Sequence, residues 1–253
     1  MNNISIIIPT LNEEAHIKQL LIHLLNNSSK KNISEIIIVD GGSNDNTKKI
    51  IESLITTRKQ LLPTINQLTA KEDIVIQLIH SEKGRAKQMN LGAKYANGNI
   101  LYFLHADSIP PKHFDQLIIG EVEKGNEAGC FRMKFNSNHW WLKIAGWLTK
   151  LPWRIARGGD QSQFVTKSLF NDIGCYNEKY IIYEDNDLIS KLYKQKQFVV
   201  IQEWIITSPR CYSAHGVWKL QFHYWNIHVR KWLGAEAQTL NNYYLKHVLV
   251  KKS

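Results

Sequence analysis

An aspartate that closes an apolar run can hold a hard cation, and Asp107 stands in that position, after Ile100–Leu104 and ahead of Pro110 and Pro111. Mg2+ typically takes one or two protein carboxylates and leaves the rest of its sphere to phosphate and water. A carboxylate placed this way therefore suits an ion that neutralises the charge developing on a departing diphosphate. Taken alone, Leu104-His105-Ala106-Asp107 is also ordinary turn chemistry, because Asp ahead of Ser-x-Pro favours a turn. Asp40 is a second position of the same kind. It ends the run Ile36–Val39 and precedes Gly41-Gly42, whose missing side chains let a base or ribose approach the backbone. The alternative is a tight turn in which Ser43, Asn44 or Asp45 caps the next helix.

Glu184 and Asp185, in Tyr183-Glu184-Asp185-Asn186-Asp187-Leu188, form the third candidate. A carboxylate aimed into a cleft can take the proton of an attacking hydroxyl. Adjacent side chains point in different directions, so only one of the two is expected to serve. Acidic residues in a first helical turn also complement the helix dipole without any chemistry. Upstream, Gly159, Asp160 and Gln161 in Arg157-Gly158-Gly159-Asp160-Gln161 fit equally a loop lining an acceptor site or a plain connection. His215, in Ala214-His215-Gly216, is either a further metal ligand or a satisfied imidazole.

These positions need a scaffold, and the apolar pattern supplies one. Ile4–Ile8, Ile36–Val39, Ile74–Ile79 and Ile100–Leu104 are short β-branched runs, while 13–25, 47–54 and 86–96 carry apolar residues at helical spacing. Strands alternating with helices predict an α/β fold with a mostly parallel sheet covered by helices on both faces. In such sheets ligands bind beyond the carboxyl ends of the strands, where 9–14, 40–46 and 105–108 fall. The polar stretch 55–73 is longer than a connection needs and reads as a surface elaboration. Asn138–Ile155 carries four tryptophans among Lys and Arg, the pattern of an interfacial membrane helix or of a helix packing its indoles inward. Val217–Val250 reads as a further aromatic and basic helical stretch.

With 253 residues, 43% hydrophobic and 21% charged, the chain fits one globular domain. Cys130, Cys175 and Cys211 are too far apart for a metal pattern and are expected to be buried free thiols in a reducing cytoplasm. Met1-Asn2-Asn3 leads straight into an apolar run with no basic leader, so no secretion is expected. No window offers the roughly 18 apolar residues of a membrane span. A formal net charge of +10 points to polyanionic partners, such as phosphorylated substrates or an anionic membrane surface. No zinc-finger spacing, basic-leucine pattern or aromatic RNA motif supports nucleic acid. Pro9-Thr10-Leu11-Asn12-Glu13-Glu14 lacks the glycines of a dinucleotide turn, and no phosphate-cradling Gly-x-x-x-x-Gly-Lys loop occurs, which excludes those two phosphate-binding classes.

In combination, Ile6-Ile7-Ile8-Pro9-Thr10-Leu11-Asn12-Glu13-Glu14 and Ile38-Val39-Asp40-Gly41-Gly42-Ser43-Asn44-Asp45 resemble the opening of a family 2 glycosyltransferase. Lys83-Gly84-Arg85-Ala86-Lys87-Gln88-Met89-Asn90-Leu91-Gly92-Ala93 and Gly98–Asp107 resemble a bacterial subgroup of that family with a His-Ala-Asp metal motif. Residues 164–176 and Tyr183-Glu184-Asp185 are similar to its acceptor side. The resemblance covers about residues 4–190. It implies a GT-A fold and inverting transfer from a nucleoside diphosphate sugar to a hydroxyl acceptor, with a lipid-linked acceptor as one option. By matched position, Pro9, Thr10, Asn12, Glu14 and Asp40 would line the nucleoside pocket, Arg85 would approach base or phosphate, and His105 and Ala106 would adjoin the donor. Asp107 would hold Mg2+ or Mn2+. His105 stands where the family usually has a first aspartate, a softer ligand that admits Mn2+. Asp185 would be the base, beside Glu184. Residues 1–110 would form the nucleotide-sugar half, 111–215 the acceptor and catalytic half, and 216–253 a helical extension. Val229-Arg230-Lys231-Trp232 lacks the Gln of the Gln-x-x-Arg-Trp pattern of processive members, so transfer of a single sugar is expected. A non-catalytic sugar-nucleotide-binding protein and a peripheral membrane-binding module are the competing classes.

Overall fold

The computed structural model describes residues 2–69 and 74–248. Four apolar runs become the parallel strands β1 (Ile4–Thr10), β2 (Ile33–Asp40), β3 (Val75–His80) and β4 (Ile100–Phe103), paired in the order β3-β2-β1-β4. Side chains alternate across a strand, and β1 feeds both sides of the sheet. Ile4, Ile6 and Ile8 pack with Leu20, Leu21 and Leu24 of α1 (Ile17–Asn27) and with Phe114 and Ile118 of α4 (Phe114–Glu123). Ile7 packs on the opposite face with Met89 and Ala93 of α3 (Arg85–Tyr95). This two-sided burial is why β1 reads as an apolar run interrupted only by Ser5, whose hydroxyl bonds to the buried Glu35.

Beyond β4 the sheet turns mixed, an extension the apolar runs did not announce. It continues through β7 (Gln163–Thr166), β6 (Ala128–Phe135), β8 (Phe198–Thr207) and β5 (Ser108–Ile109). β7 is antiparallel to both β4 and β6, β8 is parallel to β6, and β5 is antiparallel to β8. Leu188 and Leu192 of α7 (Glu184–Lys194) and Leu169 and Phe170 of α6 (Lys167–Asp172) complete the second core layer.

Several expected boundaries move. The first helix starts at Ile17 rather than Glu13, because residues 12–14 bond to the loop after β2: Asn12 adopts the left-handed region (φ 58°), and the Glu13 amide donates to Thr47 Oγ1 at 2.8 Å. α2 (Thr47–Thr69) runs through most of the stretch expected as a surface elaboration, since Lys, Gln and Leu are good helix formers however polar the segment; residues 70–73 lie outside the described residues. The tryptophan-rich helix α5 (Trp140–Leu148) is shorter than 138–155. Thr149 closes it, its hydroxyl donating to the Gly146 carbonyl at 2.6 Å and accepting from the Met133 amide of β6 at 2.8 Å. The last stretch is two helices, α9 (Val217–Trp232) and α10 (Ala237–His247), parted at Gly234, whose φ of +90° ends α9; residues 249–253 lie outside the described residues. The three thiols are free, but only Cys130 is buried. Among the described residues no helix is long and apolar enough to cross a membrane.

Gly129 sets the strand spacing in the mixed half. A Cβ there would lie 2.5 Å from the Val199 carbonyl oxygen of β8 and 2.6 Å from the Phe164 ring. Gly129→Ala is therefore expected to cost about 2 kcal/mol by overpacking, read from urea denaturation; unchanged stability would show that the strands can separate freely here.

Candidate functional site

The carboxyl ends of β1, β2 and β4 converge on one edge, and two loops there are stitched together. The Asn12 amide donates to Ser43 Oγ at 2.9 Å, the Asn44 amide to Asn12 Oδ1 at 2.9 Å, and the Asn46 amide to Glu14 Oε2 at 2.9 Å. From beneath, the buried Gln88 Nε2 donates to the carbonyls of Thr10 at 2.9 Å and Val39 at 2.7 Å. Asp40 is fully buried. Its Oδ2 accepts from the amides of Gly42 and Ser43 at 3.0 and 2.9 Å, and its Oδ1 from the Ser43 hydroxyl at 2.5 Å. Its carboxylate thus anchors the turn, while Pro9 and Thr10 are buried in β1. The five residues expected around a nucleoside do share one edge, with Asn12 and Glu14 exposed on it.

A second cluster gathers residues from four parts of the chain. Arg85 opens α3, and Glu184 and Asp185 open α7 after Tyr183, whose φ is 73°. Arg85 Nη1 lies 3.1 Å from Glu184 Oε1 and 3.5 Å from Asp185 Oδ2. The two carboxylates were expected to diverge; instead both reach the same guanidinium nitrogen, because each is buried and has a charge to compensate. His105 sits between Asp160, at 3.4 Å from Nδ1, and Asp185, at 3.9 Å from Nε2. Gly159 makes the approach possible, since a Cβ there would fall 2.0 Å from Asp185 Oδ2 and 3.0 Å from His105 Cε1. Of the expected acceptor loop, Gly159 and Asp160 thus face the cluster, whereas the buried Gln161 turns away and donates to the Phe131 carbonyl at 3.3 Å.

Burial dominates the Glu184 carboxyl and pushes its pKa up to about 7; Arg85 opposes this and the neighbouring Asp185 charge adds to it. His105 is shifted up: burial works against its charge, but the hydrogen bond to Asp160 and the charges of Asp185 and Asp160 outweigh burial and Arg85.

Asp107 is held by a residue that sequence spacing could not have linked to it. Arg210, which opens α8 (Arg210–His215), places Nε 3.0 Å from Asp107 Oδ2. Its other two nitrogens clamp the two Glu13 oxygens at 2.7 and 2.6 Å. Glu13 and Arg210 are 197 positions apart. His215 bonds through Nδ1 to the Cys211 carbonyl at 2.9 Å within α8. Among the described residues no three His, Cys, Asp or Glu side chains form a group that could cage an ion. The donor set fits a different arrangement. One carboxylate at a strand end, Asp107, suits a hard ion whose other ligands are phosphate and water. A shallow recess lined by Glu127, Leu169, Asp172 and Lys191 shares none of these residues.

A family model for glycosyl transferase family 2 matches residues 5–177. The chain is 24% identical over 147 residues to an undecaprenyl-phosphate 4-deoxy-4-formamido-L-arabinose transferase of Proteus mirabilis, covering 57% of this chain and 41% of that protein. It is 33% identical over 114 residues to a dolichyl N-acetyl-alpha-D-glucosaminyl phosphate 3-beta-D-2,3-diacetamido-2,3-dideoxy-beta-D-glucuronosyltransferase of Methanococcus voltae, covering 45% of this chain and 32% of that protein. The chain thus spans less than half the length of these relatives. Among solved structures, the mannosyltransferase PcManGT of Pyrobaculum calidifontis, in complex with GDP-Man and Mn2+, superposes over the whole chain and 66% of its own with a TM-score of 0.63 at 16% identity. TarS of S. aureus in complex with UDP covers 81% of this chain and 60% of its own, with a TM-score of 0.62 at 18% identity. The fold is that of these GT-A enzymes.

Because the Glu184 pKa is raised on folding, the folded chain holds a proton that the unfolded chain releases between the ordinary carboxylate range and about 7. The stabilisation is present below that window and is lost as pH rises through it. Wild type is therefore expected to lose on the order of 1–3 kcal/mol relative to Glu184→Gln between pH 5 and pH 8, read from denaturation at the two pH values; parallel pH curves would show that Glu184 ionises freely.

Proposed function

The chain belongs to glycosyl transferase family 2, and from that premise we propose that it transfers one sugar, with inversion, from a nucleoside diphosphate sugar to an acceptor hydroxyl, with a lipid-linked molecule as acceptor, at the cytoplasmic face of a membrane. The observation that carries this reading is the convergence of Arg85, His105, Asp160 and Asp185 around the side-chain-free surface of Gly159, with Asp107 two residues after His105 in the turn that follows β4. Residues 1–110 would serve the donor and 111–215 the acceptor, with 216–253 an added helical part.

The chemistry assigned to each residue follows from its surroundings. Asp185, backed by His105, takes the acceptor's proton as its oxygen forms a bond to the anomeric carbon. The bond from that carbon to the diphosphate oxygen breaks on the opposite face, and its electron pair leaves with the diphosphate. Arg85, with its side chain 45% exposed, offers positive charge on the donor side while remaining tied to both carboxylates. Asp107 would hold Mg2+ or Mn2+, which would supply charge neutralisation on the leaving diphosphate. Arg210 already brings a cation to the Asp107 carboxylate, so it keeps that group compensated when no ion is bound. Asn12 and Glu14 lie exposed at the edge where a nucleoside would rest. Two features of the relatives support the donor and acceptor: the neighbours are in complex with GDP-Man or UDP, and the names of the relatives include undecaprenyl-phosphate and dolichyl phosphate groups.

A screen of nucleoside diphosphates with and without Mn2+ by thermal denaturation is expected to find one base that stabilises the protein, by about 2.7 kcal/mol at a hundredfold excess over Kd. Asp107→Asn should lose the Mn2+-dependent part. Asp185→Asn should keep nucleotide stabilisation and lose transfer by roughly 10²- to 10⁴-fold. If no diphosphate stabilises the chain under either condition the transferase reading fails, and full transfer by Asp185→Asn removes its role as the base.

A further inference from the structure

Helix α9 is apolar on two sides. Leu220 and Ile227 are buried toward the body of the protein, with Ile227 packed against Tyr180 and Leu240. Trp218, Phe222, Trp225, Val229 and Trp232 recur at intervals of four, three, four and three, so they form one stripe along the other side. All five are exposed. Helix α5 repeats the pattern with Trp140, Ile144 and Trp147. Across the two helices these eight side chains range from 43% to 84% exposed.

The two stripes are joined. Trp141 lies tilted against Trp218 at 5.2 Å and meets Trp225 edge-on at 6.2 Å, Trp140 lies 5.7 Å from Trp218, and the Trp141 indole donates to Gln221 at 3.3 Å. The result is a broad aromatic face rather than a groove. Its charge has one sign: neither Gly129–Gly159 nor Trp204–Ala235 contains an Asp or Glu. The cations beside the aromatic stripes are Lys143, Lys150, Lys219 and Arg230, with the Lys150 ammonium 4.1 Å from the Trp147 ring centre.

We propose that the joined faces of α5 and α9 dock on a bilayer carrying anionic lipid. Indole rings favour the headgroup level, and a helix with an aromatic side flanked by Lys and Arg settles into that plane. The missing carboxylates leave nothing to be repelled by anionic headgroups, and each cation near the surface adds attraction. The position also has a consequence, which rests on the proposed function: α8 carries Arg210 of the site and is separated from α9 by Gly216 alone. Docking through α9 therefore brings the cleft to the lipid surface, where a lipid-linked acceptor would present its reacting end.

The test uses the full chain with vesicles of phosphatidylcholine alone and of an equimolar mixture with phosphatidylglycerol, and the double variant Phe222→Glu/Trp232→Glu, whose altered side chains are exposed. Wild type is expected to sediment with the mixed vesicles and to release in salt of about 0.5 M. Partition of the double variant should fall by roughly tenfold or more, with its circular dichroism and nucleoside diphosphate stabilisation retained. Wild type that stays in solution beside mixed vesicles overturns the inference, as does a double variant that still sediments like wild type. Sedimentation as a dimer that the double variant dissolves, without vesicle binding, would assign the face to a second copy and also overturn it. Wild type that fails to bind mixed vesicles while its nucleotide stabilisation is intact counts against this inference alone, whereas failure of every diphosphate to stabilise the wild type counts against the transferase reading alone.

Discussion

Two neighbouring carboxylates, Glu184 and Asp185, are withdrawn from water at the start of one helix, and a single guanidinium, Arg85, answers both. Burying one uncompensated carboxylate costs several kcal/mol, and burying two side by side adds their mutual repulsion. The surrounding architecture follows from that constraint. α3 must begin where Arg85 can reach the start of α7, which places it over the ends of β1 and β2, and Gln88 one turn later ties it to both strands. Position 159 must lack a side chain, or Asp185 could not occupy its place. The proton that Glu184 tends to retain near neutrality lowers the repulsion on Asp185, so one carboxylate takes up the strain of burial while the other lies against His105.

Arg210 applies the same logic on the other side of the cleft. By clamping Glu13 bidentately and holding Asp107 at 3.0 Å, it joins the loop after β1, the turn after β4 and the short helix α8. A bidentate guanidinium pair fixes orientation as well as distance. The positive charge of Arg210 also means that an ion proposed at Asp107 would have to share its carboxylate, a situation suited to an ion that carries phosphate ligands of its own. The +10 net charge read from composition therefore lies elsewhere on the molecule, because in the cleft Arg85 and Arg210 face four carboxylates from three segments, Glu13, Asp107 and the Glu184–Asp185 pair.

The strand–helix alternation through about residue 104 was legible because two-sided burial writes itself as unbroken runs of Ile, Val and Leu. The mixed half was not, since β5 is only two residues long and the longer β6 and β8 interrupt their apolar residues with Arg132, Lys134, Gln202 and Glu203, so neither reads as an unbroken run. At the site, Asp107, Asp185, Arg85 and the Gly159-Asp160 turn could be picked out by residue type and by resemblance to a known family. Glu13 and Arg210 could not, because a contact spanning 197 positions has no local signature. Asp40 was open between ligand and turn anchor, and its three hydrogen bonds to Gly42 and Ser43 show the second duty clearly. The divergence expected of Glu184 and Asp185 followed from helix geometry alone and left out the need of two buried charges for a common partner.

The tryptophans illustrate why a choice between inward packing and surface contact was ill-posed for this chain. Trp141 does pack, against Trp218 and Trp225, and that packing is what aligns the exposed rings of α5 and α9 into one surface. A single exposed indole is unremarkable, since apolar atoms make up more than half of any protein surface. Eight large apolar side chains at helical spacing on two joined helices are different, because their exposure is a continuing cost unless something covers them. α9 already buries Leu220 and Ile227 against the protein, so folding does not require the second stripe. Its retention beside four cations, in segments free of carboxylates, is accounted for by the proposed docking on a surface that is apolar within and negatively charged at its rim.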